Sequence, residues 1–326
     1  MNIAIDAMGG DNAPYEIVKG VYLAANEYSN IQFTLIGDEN IIKKTFSEIV
    51  ELSNVKIVHT DCTVTMDDDP MIIMKEKKNS SMAIGLQMLK DSAVDGFLSA
   101  GSTGALHAAS TLMVRKIKGI RRSAIATVIP FEKPILMLDS GANPTVTADI
   151  LEQWAILASV YMNKMFNITD VRVGLLNNGT EEHKGTPEVQ EAYKRMANNK
   201  NINFIGNVES RELPNNPCDV LVTDGFTGNI TLKLLEGMAK FFFGSLKKIF
   251  TTNTKTKLSY LLTKKELQQL KSSFDSSKYG GAPLLGISKP VVKAHGSSNA
   301  IDIKNAIRQT IEYVDSKIIE KVAEAL

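Results

Sequence analysis

IAIDAMGGDNAP, residues 3–14, decides how this chain folds. Ile3-Ala4-Ile5 is a short apolar run, Asp6 through Pro14 is a turn of glycine and small polar residues, and a helical pattern follows from Tyr15 to Tyr28. The same order recurs along the chain. Gly96-Phe97-Leu98 leads into Ser99-Ala100-Gly101-Ser102-Thr103-Gly104, and Ile135 to Leu138 leads into Asp139-Ser140-Gly141-Ala142-Asn143-Pro144. Val171 to Leu176 precedes Asn177-Asn178-Gly179-Thr180, Val220 to Val222 precedes Thr223-Asp224-Gly225-Phe226-Thr227-Gly228-Asn229, and Val291-Val292 precedes His295-Gly296-Ser297-Ser298-Asn299. Strand, polar turn and helix in alternation predict a three-layer α/β/α fold around a mostly parallel sheet. In such a sheet the loops at the carboxyl ends of the strands share one edge, where ligands bind. Glycine lets the backbone approach a ligand, and helix N-termini turn N–H groups toward anions. Six such loops predict a pocket for something rich in oxygen and negative charge.

Further strands are expected at Gln32–Ile36, Val55–His59, Ala124–Ile129 and Ile202–Ile205. Helices are expected near Ile41–Ser53, Ser81–Asp91, Ser102–Lys116, Thr147–Phe166, Pro187–Asn198, Thr227–Phe250 and Ser297–Ala323. No internal repeat and no low-complexity linker divides the chain, so residues 1–326 read as a single α/β unit.

Composition removes several function classes. Hydrophobic residues make up 44% of the 326 and charged residues 22%, which supports a large core and argues against disorder. The formal net charge of +1 provides no global field for nucleic acid, so no nucleic-acid partner is expected. Cys62 and Cys218 have no metal-ligand spacing, and two cysteines in this length fit a reducing cytosol. The chain opens directly into a strand without a basic-then-apolar leader, and its apolar stretches fall short of a membrane span. The expectation is a soluble, cytoplasmic protein.

One segment departs from the alternation. Lys233 to Lys271 carries nine lysines against Glu236 and Glu266, a local charge of +7 that leaves −6 for the rest of the chain. Interleaved with the lysines are Phe241-Phe242-Phe243, Leu246, Ile249-Phe250, Leu258, Tyr260-Leu261-Leu262, Leu267 and Leu270. Two helical patterns broken near Thr251-Thr252-Asn253-Thr254 predict a hairpin, and residues 233–278 read as an amphipathic helical insertion. A basic amphipathic helix suits a membrane surface or a docking partner; the alternative is an ordinary solvated face on a core helix. Three consecutive phenylalanines cannot share one side of a helix, so part of that cluster needs another partner.

The loops also exclude chemistries. No G-x-G-x-x-G opens a helix after the first strand, no G-x-x-x-x-G-K-[ST] is present, and Ser102 does not lie in a G-x-S-x-G elbow. Metal-ligand spacings are absent, so neither a metal nor another cofactor is expected. Neither cysteine sits in a glycine-rich loop, which disfavours covalent cysteine catalysis. The stretch Asn177 to Pro187, NNGTEEHKGTP, is the densest in reactive side chains. Lys184 there could hold a phosphate or an oxyanion, or be a solvated loop lysine. Asp224 could be a base or an orienting partner and Asn229 a donor to a carbonyl, although a turn aspartate and a capping asparagine favour the same positions.

Taken together, the motifs resemble the phosphate acyltransferases of bacterial phospholipid synthesis, the PlsX family. The resemblance rests on IAIDAMGGDNAP, KNSSM (78–82), SAGSTGALHAAS (99–110), GIRRSAIATVIP (119–130), LDSGAN (138–143) and GLLNNGTEEHKGTP (174–187). It continues through FIGNVESRE (204–212), LVTDGFTGNITLKLLEG (221–237), YGGAPLLGI (279–287) and KAHGSSNA (293–300), nearly the whole chain. It implies transfer of a long-chain fatty acyl group from acyl carrier protein to inorganic phosphate, giving acyl phosphate. It further implies a fold akin to phosphate acetyltransferases and isocitrate-type dehydrogenases, a homodimer, and peripheral attachment to the inner face of the membrane. A membrane-bound glycerol-3-phosphate acyltransferase would consume the product. Where such proteins usually carry Arg, this chain has Lys75, a point charge in place of a bidentate fork.

On that reading Lys184 meets phosphate or the oxyanion, Asp224 orients or accepts a proton, and Asn229 contacts the carbonyl. Asp11, Asn12, Gly101, Ser102, Thr103, Gly104, Ser140, Asn143, Asn178, His183, His295 and Asn299 are the expected substrate-binding set. Phe242, Leu258 and Leu261 are the expected membrane contacts, with lysines supplying affinity for an anionic surface. Two alternatives stand beside this one: a short-chain phosphate acyltransferase using acyl-coenzyme A, and a non-catalytic membrane scaffold that binds acyl carrier protein.

Overall fold

The computed structural model of the protein describes residues 1–325; residue 326, the last of the expected unit, lies outside them. The strands are β1 (Asn2–Asp6), β2 (Gln32–Gly37), β3 (Val55–His59), β4 (Gly96–Ser99), β5 (Ala124–Ile129) and β6 (Ile135–Leu138). They continue with β7 (Arg172–Asn177), β8 (Asn203–Glu209), β9 (Val220–Val222), β10 (Ala282–Leu285) and β11 (Val291–Lys293). They form one 11-stranded sheet in the order β3-β2-β1-β4-β11-β10-β5-β6-β9-β7-β8. The helices are α1 (Tyr15–Glu27), α2 (Glu39–Thr45), α3 (Ser81–Lys90), α4 (Thr103–Ala109), α5 (Ala148–Phe166), α6 (Pro187–Asn198), α7 (Gly225–Thr251), α8 (Thr254–Ser273), α9 (Ala300–Asp315) and α10 (Ile318–Ala325).

Most pairings are parallel, as the sequence predicts, but β10 runs antiparallel to β11 and to β5, and β5 antiparallel to β6. Strands β6 to β10 therefore oppose the other six, and the six polar loops do not share one edge of a parallel sheet. Register brings them together instead. Lys293 at the end of β11 pairs with Ala282, and Leu284 pairs with Ile125, so Ala282 lies level with Thr127. Thr127 in turn pairs with Met137, one residue from the end of β6. The carboxyl ends of the two opposed half-sheets thus meet near the middle of the molecule. The sequence reading misses β10, because Gly280-Gly281 and Pro283 disfavour a strand.

Alternating side chains bury both faces, which is why the strands read as nearly continuous apolar runs. On β1, β2 and β4, Ile3, Ile5, Phe33, Leu35 and Leu98 join one core cluster with α1, α5 and α9. Ala4, Ile36 and Phe97 face the opposite way, against α3 and α4. In the other half Met137, Leu221, Leu176 and Val208 form a third cluster, covered in part by Leu232 and Leu235 of α7. Side-chain caps start many of the helices: Asp38 for α2, Ser80 for α3, Ser102 for α4, Thr186 before Pro187 for α6, Asp224 for α7, Asn253 for α8 and Asn299 for α9.

Four elements differ from expectation. The helix expected near Ile41–Ser53 ends at Thr45, and a 3-10 turn follows over Ser47–Glu51. The helix expected over Ser102–Lys116 gives way at Ser110 to a π-helical turn that ends at Arg115, whose φ is 75°. The long C-terminal helix splits into α9 and α10 at Lys317, where φ is 50°. Strand β8 continues to Glu209 instead of stopping at Ile205. Helices α7 and α8 form a hairpin that projects from the body: α7 buries only Gly225 and Gly228 along 27 residues, and α8 buries none among its described residues. No helix among the described residues is long and apolar enough to cross a membrane.

Candidate active site

A cleft of about 390 Å³ opens where the two half-sheets meet. Thr103 follows β4, Ser140 and Gly141 follow β6, Asn229 lies in the first turns of α7, and His295 follows β11; all line it. Ile125, Thr127 and Val128 of β5 form one wall, Tyr279 to Ala282 another, and Lys233 and Glu236 reach it from α7. A larger surface hollow of about 630 Å³ lies between α5 and the start of β8, but none of the loops after β1, β4, β6, β7, β9 or β11 contributes to it. Convergence of the polar loops, and not volume, marks the candidate site.

Buried carboxylates shape these loops. Asp139 is fully buried and accepts hydrogen bonds from the backbone N–H groups of Ile125, Gly141, Ala142 and Asn143 and from Asn143 Nδ2, at 2.7–3.2 Å. Asn143 Nδ2 also donates to the Ser123 carbonyl at 2.8 Å, so Asn143 is a fastening of the loop. Ser140 donates to the Ile125 carbonyl at 3.1 Å, and its Oγ lies 2.7 Å from Thr127 Oγ1 at the cleft surface. Helix α7 seats directly on this loop. A Cβ on Gly228 would fall 2.0 Å from the Asp139 carbonyl oxygen, so only glycine permits the approach that brings Asn229 beside Gly141.

The first half-sheet is arranged in a related way. Asp6, buried at the end of β1, accepts from Ser99 Oγ at 2.7 Å and from Met8 N at 3.2 Å. Burial raises its pKa, and hydrogen bonds from Ser81 and Ser99 offset part of the rise. Asn12 Nδ2 donates to the Ser297 carbonyl at 3.1 Å, and Asp11 N to the Gly296 carbonyl at 2.8 Å, tying the β1 loop to the β11 loop. His295 Nδ1 lies 2.9 Å from Ser297 Oγ. His107 of α4 does not line the cleft; its Nε2 lies 3.0 Å from Ser123 Oγ, and burial lowers its pKa.

The expected site residues thus divide into three groups. Thr103, Ser140, Asn229 and His295 line the cleft. Asp11, Asn12, Gly101, Ser102, Gly104 and Asn143 build or brace the loops that carry them, and Asn299 caps α9. Asp224 also caps: its Oδ1 accepts from Thr227 N at 2.8 Å and its Oδ2 from Thr227 Oγ1 at 2.7 Å. Asn178, His183 and Lys184 belong to the loop after β7 and do not line the cleft. That loop is held by its own contacts, Asn177 Nδ2 donating to the Lys184 carbonyl and Gln190 Nε2 to the His183 carbonyl.

Sequence reasoning missed Lys293. It ends β11, is only 8% exposed, lines the cleft, and donates from Nζ to the carbonyls of Ala100, at 3.1 Å, and Ala294. A lysine inside the apolar run Val291-Val292-Lys293-Ala294 was the available signal. Cys218 is buried, which pushes its thiol up to about 12, as does neighbouring Asp219, so it holds little thiolate for nucleophilic work. Among the described residues no three His, Cys, Asp or Glu side chains cluster as a metal site.

Known proteins place this architecture. The family model for fatty acid synthesis protein matches residues 1–321. A phosphate acyltransferase of Pediococcus pentosaceus is 46% identical over 99% of this chain and 94% of its own length. One from Thermoanaerobacter pseudethanolicus is 43% identical over 100% of this chain and 97% of its own. Among solved structures, a phosphotransacetylase from Streptococcus pyogenes superposes with a TM-score of 0.63 over 97% of this chain and 94% of that one; at 17% identity it speaks to the fold alone. With matches of this extent, the chain belongs to the fatty acid synthesis protein family and is an acyltransferase.

Proposed function

We propose that the protein transfers a long-chain fatty acyl group from acyl carrier protein to inorganic phosphate, forming acyl phosphate for phospholipid synthesis. The observation that carries this reading is the convergence of Thr103, Ser140, Asn229 and Lys293 in one cleft, in a chain whose full-length relatives are phosphate acyltransferases. A phosphate oxygen attacks the thioester carbonyl carbon; a C–O bond forms and the carbonyl becomes an oxyanion. Collapse breaks the C–S bond, and the carrier's thiol, with a pKa of about 8.5, leaves as thiolate. Phosphate is already anionic, so positioning and charge balance matter more than deprotonation. Donors fixed before reaction stabilise the oxyanion, a task that suits the Asn229 amide and the hydroxyls of Ser140 and Thr103.

The hairpin supports a peripheral position at the cytoplasmic face of the membrane. Phe242, Leu258 and Leu261 are 48%, 61% and 67% exposed, on helices dense in lysine. Phe243 stacks edge-on against Phe274 at 5.7 Å and against Phe242 at 5.4 Å, so it ties the triplet to the end of α8. On α7, Phe226, Ile230, Leu234, Met238 and Phe241 form an exposed apolar stripe at helical spacing. A second copy of the chain covers that stripe in the homodimer we propose. A membrane-bound glycerol-3-phosphate acyltransferase then receives a product that is both apolar and easily hydrolysed.

The test is thiol release from palmitoyl-acyl carrier protein and from acetyl-coenzyme A, each with and without phosphate. Phosphate-dependent release from the carrier protein, well above that from coenzyme A, is the expected result. Preference for acetyl-coenzyme A would establish the short-chain alternative, and no release from either donor would leave the scaffold.

A further inference from the structure

Among the described residues, Lys293 is the only lysine or arginine in the buried set. Its ammonium has three N–H groups, and the described residues provide carbonyl acceptors for two, on Ala100 and Ala294. Asp6 and Asp11 favour its charged form from a distance, but neither forms an ion pair with it. A buried cation neutralised only by carbonyl dipoles is costly, and the cost falls when an anion completes its shell. Its place is telling: the two carbonyls belong to the loops after β4 and β11, and Lys293 itself lines the cleft.

We infer that Lys293 is the phosphate-holding cation of this cleft, its third N–H donating to an oxygen of inorganic phosphate bound beside Ala294 and His295. The inference rests on the acyltransferase reading above and adds which residue binds the acceptor. Phosphate suits this ammonium better than the thioester oxyanion does. The oxyanion exists only transiently, whereas a permanently buried charge needs a partner in the resting complex, which a bound dianion provides. The two carbonyls hold Nζ in place, so little side-chain entropy is lost when phosphate arrives.

Titration offers a second handle. Burial pulls the Lys293 ammonium down to about 8, while Asp11 and Asp6 pull it back up. The other ionisable groups facing the cleft are His295 on the same loop, Lys233 and Glu236 on α7, and Tyr279 on the opposite wall. Bound phosphate favours the protonated lysine. The lysine therefore sets the alkaline limb: affinity falls as pH rises above about 8, where phosphate is already dianionic and its own titration cannot account for the loss.

The experiment is phosphate KM, measured against pH, for the wild type and for Lys293→Met, a similar shape without charge. The Met variant should raise phosphate KM roughly 10- to 100-fold, the value of a hydrogen bond to a charged group, with acyl-donor KM unchanged and no remaining rise above pH 8. An unchanged phosphate KM in folded Lys293→Met overturns the inference. Should that variant not fold, phosphate binding to the wild type followed by 31P NMR decides: affinity constant through pH 8 overturns the inference, and loss above it supports it. The binding titration needs no turnover. A wild type that makes no acyl phosphate therefore defeats the functional reading while the lysine is still judged on binding.

Discussion

Asp224 and Asp139 both lie in the polar loops, yet their oxygens are engaged by backbone N–H groups and side chains around them. Asp224 starts α7, and α7 carries Asn229 into the cleft, so this carboxylate acts on the site through the helix it caps. Asp224→Ala should cost about 1 kcal/mol of stability, the usual value of an N-cap, and lower kcat/KM through a displaced Asn229. Asp224→Ser, which can cap, should recover most of both. If Asp224→Ser melts like the wild type but stays about 100-fold impaired, the carboxylate itself takes part in the chemistry. Asn229→Ala should lower kcat roughly 100-fold, as loss of one oxyanion donor does. Lys184→Ala should cost less, since the β7 loop stands outside the cleft. Equal losses in a kinetic comparison of the two variants would bring that loop into the reaction.

At the scale of elements, the hairpin is the clearest case of apolar surface with no partner among the described residues. Leu258 and Leu261 lie on α8 and Phe242 on α7, all exposed, while the lysines near them contribute about 1 kcal/mol each at an anionic surface. Sedimentation with vesicles should show binding that requires anionic lipid and weakens as salt rises. Changing Phe242, Leu258 and Leu261 together to Asp should abolish it while activity on soluble substrate is kept. Equal binding to neutral vesicles would remove the electrostatic part of the account. The α7 stripe makes a separate prediction: Leu234→Glu with Met238→Glu should shift a dimer toward monomer in light scattering. A dimer unaffected by both changes would assign the stripe elsewhere.

For the whole molecule, much of the fold was legible because apolar runs closed by glycine turns record strand, loop and helix locally. The direction of β10 was not, since nothing local distinguishes a short Pro-containing strand from a loop. The meeting of the two half-sheets depends on register among β11, β10, β5 and β6, a property of pairings far apart in sequence. The site shows the same division. Ser102, Asp224 and Asn299 stood out as polar residues at strand ends, and capping, the competing use of such residues, accounts for all three. Lys293 was hidden because one of its acceptors, Ala100, is 193 residues away. The central claim is that phosphate, held in the cleft between the two half-sheets, is the acyl acceptor. The most direct measurement is 31P NMR of the protein with palmitoyl-acyl carrier protein and phosphate, with chelator present and no nucleotide. The account predicts an acyl phosphate signal growing in step with free carrier thiol, and its suppression in Asn229→Ala. Thiol release with no acyl phosphate would mean that water, not phosphate, is the acceptor, and would contradict the account.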